Sequence, residues 1–237
     1  NVSGGNWNVA ANWSPNQVPA AGDVAIITNG GTYAVSLNVN AEINALVLGG
    51  EEGTQSLALG STSRTLTLNG AGEVGVHGQL DLTPGKLSGN NLLTISGALN
   101  WSGGDIEAGA ALVLTATGVA TLSGSSSKPL YGVLTNAGHV AWINTGHLNL
   151  FGAIHNMPSG VFEAQTDADL NKPSGAPTCL FVNDGLFRKS AGTSTTLAAP
   201  NFINNGTVHV QTGPLQFSDP PTKVFNHGCQ FIGAGQA

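Results

Sequence analysis

A single short phrase recurs along the C-terminal half of the chain and restricts what it can fold into. Asn136-Ala-Gly138, Asn183-Asp-Gly185, Asn204-Asn-Gly206 and Asn226-His-Gly228 share the form Asn-x-Gly, and Asn156-Met-Pro-Ser-Gly160 is the same phrase with two residues inserted. The asparagines lie 20, 27, 21 and 22 residues apart. A fixed period of this size marks a stacked repeat. The flanks repeat as well: Leu134, Ile154, Phe181, Phe202 and Val224 stand two residues before each asparagine, and Val140, Phe162, Phe187, Val208 and Gln230 two residues after each glycine. Side chains alternate faces along a strand, so these positions and the asparagines point the same way. If that way is inward, the amides form an interior column and hydrogen-bond up and down it, which offsets the cost of burying them. The glycines allow the backbone a left-handed turn.

An antiparallel meander is the competing fold, because Asn-Gly is also a hairpin signal. It would place a turn about every 8–12 residues. The phrase here recurs at about twice that interval with constant flanks, so the sequence predicts a parallel β-solenoid with coils of about 21 residues. Helix is disfavoured throughout. Charged residues are 8% of the 237, and Gly, Ser, Thr and Asn, all weak helix formers, must cover the surface. Apolar residues are 41%, too many for a disordered chain.

Residues 1–37 read differently from the rest. Trp7, Trp13, Pro15, Pro19 and Asp23 crowd an irregular stretch, followed by strand-like Val24–Ile27 and Tyr33–Leu37. A solenoid needs a cover over its open end, so 1–37 is expected to be an aromatic cap and 38–237 the coils. Indole faces also stack on sugars, which makes Trp7 and Trp13 alternative glycan contacts. Between Ala41 and Leu122 the repeat is looser, with short strands expected at Ile43–Leu48, Leu57–Leu59, Thr65–Leu68, Glu73–Val76, Leu80–Leu82, Leu92–Ile95, Leu99–Trp101, Ala111–Leu114 and Val119–Leu122. No linker divides the chain, which implies nine or ten continuous coils at roughly 21 residues each. The final phrase stops at Gly233–Ala237 without a polar cover; the expectation is that either the chain continues or another copy stacks there.

The run Asn183 to Ser190, the run Phe202 to Phe217, and the N-terminal set Trp7, Asn12-Trp-Ser-Pro15, Pro19 and Asp23 resemble the β-helical repeat regions of bacterial haemagglutinin-like and autotransporter-like surface adhesins. The resemblance spans most of the chain. It implies a right-handed parallel β-helix in a bacterial extracellular or cell-surface setting. Its motifs describe architecture and carry no catalytic set.

Composition narrows function by exclusion. The net charge is −6 and the sole basic cluster is Arg188-Lys189, so nucleic acid lacks an electrostatic footing. No apolar run approaches 18 residues, the length needed to span a membrane as a helix. Asp167 and Asp169 share a strand face and are weak candidates for a calcium site. No cofactor signature is present. A β-helical lyase needs a base such as Arg, Lys or His; Arg188 and Lys189 are consecutive, so one faces out and the other lies near a coil corner. The histidines His77, His139, His147, His155, His209 and His227 match no metal motif, and no Gly-x-Ser-x-Gly elbow or phosphate loop occurs. Cys179 and Cys229 occupy different columns; they are either two small hydrophobes or a disulfide that requires neighbouring faces to meet. Asn1, Asn12, Asn100 and Asn205 sit in glycosylation acceptor patterns that chance explains in so polar a chain.

The expectation is a non-enzymatic rod: a structural or adhesive protein whose partners are further copies, neighbouring domains of a longer chain, or glycans. A polysaccharide lyase or hydrolase and a glycan-binding module are the alternatives.

Overall fold

The computed structural model describes residues 4–61, 63–176, 179–217, 222–226 and 228–234. Apart from a 3-10 turn at Ala10–Asn12, its regular structure is entirely β. The strands form a parallel β-solenoid. Each coil crosses three faces in turn. The first face is a 10-stranded sheet running from Val24–Ile27 to Lys223–Phe225, and the second is an 11-stranded sheet from Gly5–Asn6 to Gln230–Ile232. The third face is a 3-stranded and a 5-stranded sheet joined through Ile106, which bridges Leu87 on one side and Leu130 on the other. Asn136, Asn156, Asn183 and Asn204 each end a first-face strand, and the glycine that follows turns the chain onto the second face.

Alternation within each short strand is what makes a coil. Thr65–Leu68 and Ala111–Leu114 both bury every second residue. The inward residues are mostly Leu, Ile, Val and Phe, each contributing about 2 kcal/mol on leaving water. Because neighbouring coils pair residue to residue, inward side chains stack in columns. Phe162 lies over Phe187 at 5.6 Å and Phe181 over Phe202 at 5.1 Å, each pair with nearly parallel rings. One column is worth following in full. It runs Ile27, Leu48, Val74, Ile95 and Leu114, then changes to Asn136, Asn156, Asn183 and Asn204, and ends in Phe225. The looser N-terminal repeat is therefore the same coil with an apolar residue where the later coils carry an amide.

The first coil begins inside segment 1–37. Val24–Ile27 and Tyr33–Ser36 pair with Ala45–Leu48 and Gln55–Leu59 and are ordinary members of the first and second faces. Before them, Trp7 lies over the end of the first coil, fully buried, with its backbone N–H donating to the Ser36 carbonyl. Trp13 packs edge-on against it at 4.8 Å and donates its indole N–H to the Trp7 carbonyl at 2.7 Å.

Two expectations need correction, and one open alternative is decided. The apolar run Ile43–Leu48 is two strands on different faces, Ala41–Ile43 and Ala45–Leu48, with Asn44 as a one-residue corner. Cys179 and Cys229 are free thiols. Cys179 precedes the first-face strand Leu180–Asn183, whereas Cys229 precedes the last second-face strand, so they belong to different corners of coils that are not neighbours. The repeat glycines also serve a purpose other than the expected one. Gly138, Gly160, Gly185 and Gly206 have no positive φ; of the five, Gly228 alone does. They are required by close approach. A Cβ on Gly138 would run into the Gly118 carbonyl oxygen of the coil below, and one on Gly206 into that of Gly185.

This crowding is testable. Gly185→Ala is expected to destabilise the protein by about 1–3 kcal/mol through overpacking, despite the usual gain from Gly to Ala. Gly22→Ala, where an added Cβ meets nothing within 4 Å, is expected to stay within about 0.5 kcal/mol of the parent. Denaturant midpoints of the two variants measure the difference.

Candidate functional site

The polar groups inside the solenoid form the most ordered constellation in the molecule. Asn136, Asn156, Asn183 and Asn204 are fully buried. The Asn136 amide donates to Asn156 Oδ1 at 2.8 Å, Asn156 to Asn183 at 2.7 Å, and Asn183 to Asn204 at 2.7 Å. The second N–H of each amide is directed at a corner carbonyl of the next coil: Asn136 to Val161 at 3.1 Å, Asn156 to Leu186 at 3.1 Å, and Asn183 to Thr207 at 3.0 Å. The amides thus support the next coil at its turn as well as each other.

Asn226 is outside this ladder. The last coil is displaced by one residue, so that Phe225 pairs with Asn204 and takes the inward register. Asn226 is exposed, and its amide donates to Asn205, which in turn donates to Asp184 along the outer rim of the same corner. The spacing of 22 between Asn204 and Asn226, against 21 between Asn183 and Asn204, is the one-residue difference.

Other corners use residues that the repeat did not reveal. Gln55, fully buried, accepts from the Gly50 N–H at 2.6 Å and donates to the Gly31 and Glu52 carbonyls, tying down the first-to-second corner of an early coil. At the second-to-third corner the inward tips of Trp101 and Trp142 donate to the carbonyls of Gly104 at 3.0 Å and Gly146 at 2.9 Å. Lys189 stands in the same column as Trp142 and is also fully buried. Its ammonium donates to the carbonyls of Thr166 and Ala191, to Thr196 Oγ1 and to Asp167 Oδ1, at 2.8 to 3.1 Å. Lys128 reaches into this corner from the third face and donates to the Ser126 carbonyl at 2.9 Å. It is fully buried and faces no carboxylate among the described residues, and desolvation lowers its pKa to about 8. A long aliphatic stem ending in donors suits a corner whose carbonyls turn inward.

Outside, one ionic cluster stands on the second face. Glu163 is 7% exposed. It accepts from Arg188 Nε at 3.1 Å, from Ser190 Oγ at 2.5 Å, and contacts His139 Nε2 at 3.1 Å. Ser190 is the extra residue of a bulge, since Ala164 pairs with Lys189 but Gln165 with Ala191. Burial alone would raise the Glu163 carboxyl, but donation from Ser190, Arg188 and His139 outweighs it and holds the pKa at about 2. Glu163 is therefore a fixed anion at neutral pH and no proton donor. Arg188 is committed to it and Lys189 is enclosed, so neither is free to act as the base of a lyase.

The remaining candidates are separated by the fold. Asp167 accepts from Lys189 and from the Thr193 and Ser194 N–H groups; these donors outweigh desolvation and lower its pKa. Asp169 accepts from the Leu197 N–H at 2.8 Å. Their carboxylates are thus oriented by protein donors, and no group of three or more His, Cys, Asp or Glu side chains gathers among the described residues. His139, His147 and His155 lie on the second face, at the second-to-third corner and on the first face respectively. His147 Nδ1 accepts the Asp169 N–H at 2.9 Å. His227 and Asn1 lie outside the described residues. All four tryptophans are at most 5% exposed, so no indole face is presented to a sugar.

Two predictions test the interior. Asn183→Ala leaves the Asn156 N–H and the Asn204 Oδ1 without partners and is expected to cost about 3–5 kcal/mol, whereas replacing all four ladder asparagines by Leu, the residue found at position 114 of the same column, is expected to recover most of it. Thermal and denaturant unfolding compare the two. Lys128 is proton-depleted in the folded state relative to its ordinary 10.5, so its penalty is complete below about pH 8 and falls away as pH rises toward 10.5. Lys128→Met is expected to raise stability at pH 7 by about 1–3 kcal/mol and to remove that rise in stability across pH 8–10.5, as read by unfolding curves over this range.

Compared with protein-family models, with curated proteins and with solved structures, the chain gives no match in any of the three.

Proposed function

We propose that this protein is a non-catalytic structural element of the cell surface or extracellular space, a stiff rod that spaces or joins other molecules. The observation that carries the reading is continuity. Ten coils pair in parallel without a break on the first face, and the interior polar groups are spent on holding corners to one another. A stack in which each coil contacts its neighbours along three faces resists bending and transmits load along its axis. The resemblance of the repeats to bacterial adhesin stalks supports the extracellular setting. Two versions of the rod follow, a segment of an adhesive stalk and a unit that stacks end to end.

The two ends of the described coils differ. One is closed by Trp7 and Trp13. At the other the aromatic interior comes into view: Phe225 is 45% and Phe231 42% exposed, and with Phe217 they line an opening of about 670 Å³. Aromatic surface of this kind is covered in use, by further coils of a longer chain or by another copy. With charged residues at 8% of the chain, little repulsion opposes contact between copies.

Electron microscopy and small-angle scattering of the purified chain are the test. The expected particle is a rod about 50 Å long per copy, from ten coils about 4.8 Å apart, joined end to end into longer rods as concentration rises. Phe225→Glu combined with Phe231→Glu is expected to leave rods one copy long. A particle without a long axis, or parent and variant of equal length at every concentration, contradicts the proposal.

A further inference from the structure

The outward surface of the first face is chemically unlike the rest of the rod. The second face presents Asp81, Glu163 and Arg188, and the third presents Lys86, Asp105 and Glu107. The first face presents two columns of mostly apolar side chains, interrupted by Thr94, Thr135 and Asn201. One column contains Val24, Leu92, Val133 and Leu180; the other contains Ile26, Val47, Val113, Val182 and Ile203. Val24, Ile26, Leu92 and Val133 are 46%, 52%, 43% and 36% exposed. Among the described outward strand positions of this face, the titratable side chains are Glu73 and His155, both in the second column.

Ten strands about 4.8 Å apart and about four residues wide give roughly 600 Å² in projection. The accessible area of a pleated surface exceeds its projection, which brings this face to about the 800 Å² per partner of a standard interface.

We propose that this face is the lateral docking surface for a second copy of the chain, in an antiparallel pair. The positions of Glu73 and His155 select both the partner and its direction. Glu73 lies two coils before Val113 in its column and His155 two coils after it. A two-fold axis lying in the interface along the Val113 strand therefore sets Glu73 of each copy opposite His155 of the other. The same operation sets Thr94 against Thr135, Val47 against Val182, and Val113 against itself. In the parallel arrangement, with the axis along the rod, Glu73 would meet Glu73 and two carboxylates would be buried together. A surface that sets its carboxylate against an imidazole able to donate to it, with no other titratable side chain at the described outward positions, fits an isologous dimer. This pairing is sideways and independent of contacts at the rod ends.

The test is sedimentation velocity on the full chain carrying Phe225→Glu and Phe231→Glu, so that end contacts do not contribute. A dimer is expected at micromolar concentrations. Adding Val113→Lys at the centre is expected to give monomer, with unchanged circular dichroism and melting. Glu73→Lys is expected to weaken the dimer about tenfold or more by setting a cation against His155, and Glu73→Lys with His155→Glu to restore it. A strictly monomeric parent, a dimer indifferent to Val113→Lys, or a charge swap that fails to restore pairing overturns the proposal. Absence of end-to-end rods in the parent chain, with lateral dimers intact, would count against the filament and leave this inference standing.

Discussion

The backbone ladder between successive coils is the constraint from which the rest follows. Each coil donates to and accepts from its neighbours across all three faces, and parallel pairing admits no sliding without moving every side chain. A residue therefore finds beneath it the residue one coil earlier, about 4.8 Å away. Side chains that pack well on a like neighbour are favoured: leucine on leucine, phenylalanine on phenylalanine, amide on amide. Glycine is required where two corners come closest, because the carbonyl below Gly138 or Gly206 already occupies the space a Cβ would need.

The same constraint explains why so much polarity is found inside. Strand segments satisfy one another through the ladder, and corner carbonyls that turn inward accept further donors from side chains, since a buried carbonyl left unpaired costs about 1–3 kcal/mol. The chain meets this with whatever side chain carries a donor to the right depth. Asparagine serves the narrow first-to-second corner, while tryptophan and lysine serve the wider second-to-third corner. Lys189 fits well because Asp167 and Thr196 share the task. Lys128 does so at the expense of its own protonation. On the outer surface Glu163 is held ionised by three donors, and it stitches coils together in the same manner from the other side.

Legibility in the sequence followed the chemistry of each column. The coil length and parallel stacking were readable because Asn-x-Gly combines an uncommon buried residue with an obligatory glycine, and both stand out against the background. In the earlier coils Val74, Ile95 and Leu114 hold the asparagine position. They look like any apolar strand residue, so the column is invisible without the structure. Third-face strands such as Lys128–Leu130 and Thr196–Ala198 were missed for a related reason. Each is three residues long and begins with a buried polar side chain, which reads as solvent-facing. Gln55 was missed likewise. The displacement of Asn226 out of the ladder was present as a spacing of 22 in place of 21, but a one-residue difference acquires meaning only once the register of Phe225 is known.

The crowded glycine corner has a consequence for how such a rod diversifies. Its turns are as short as two residues at Ala137-Gly138, Asp184-Gly185 and Asn205-Gly206, with carbonyls packed against the glycines from below, so a graft there would pry coils apart. The third-to-first corner is as tight at Gly132 and Gly152, yet one coil later it accommodates the excursion between Asn171 and Leu180 while Leu180–Asn183 still pairs in register with Ala153–Asn156. Crowded glycines fix individual corners, and new appendages can be hung from the corners that lack them without disturbing the backbone that supports them.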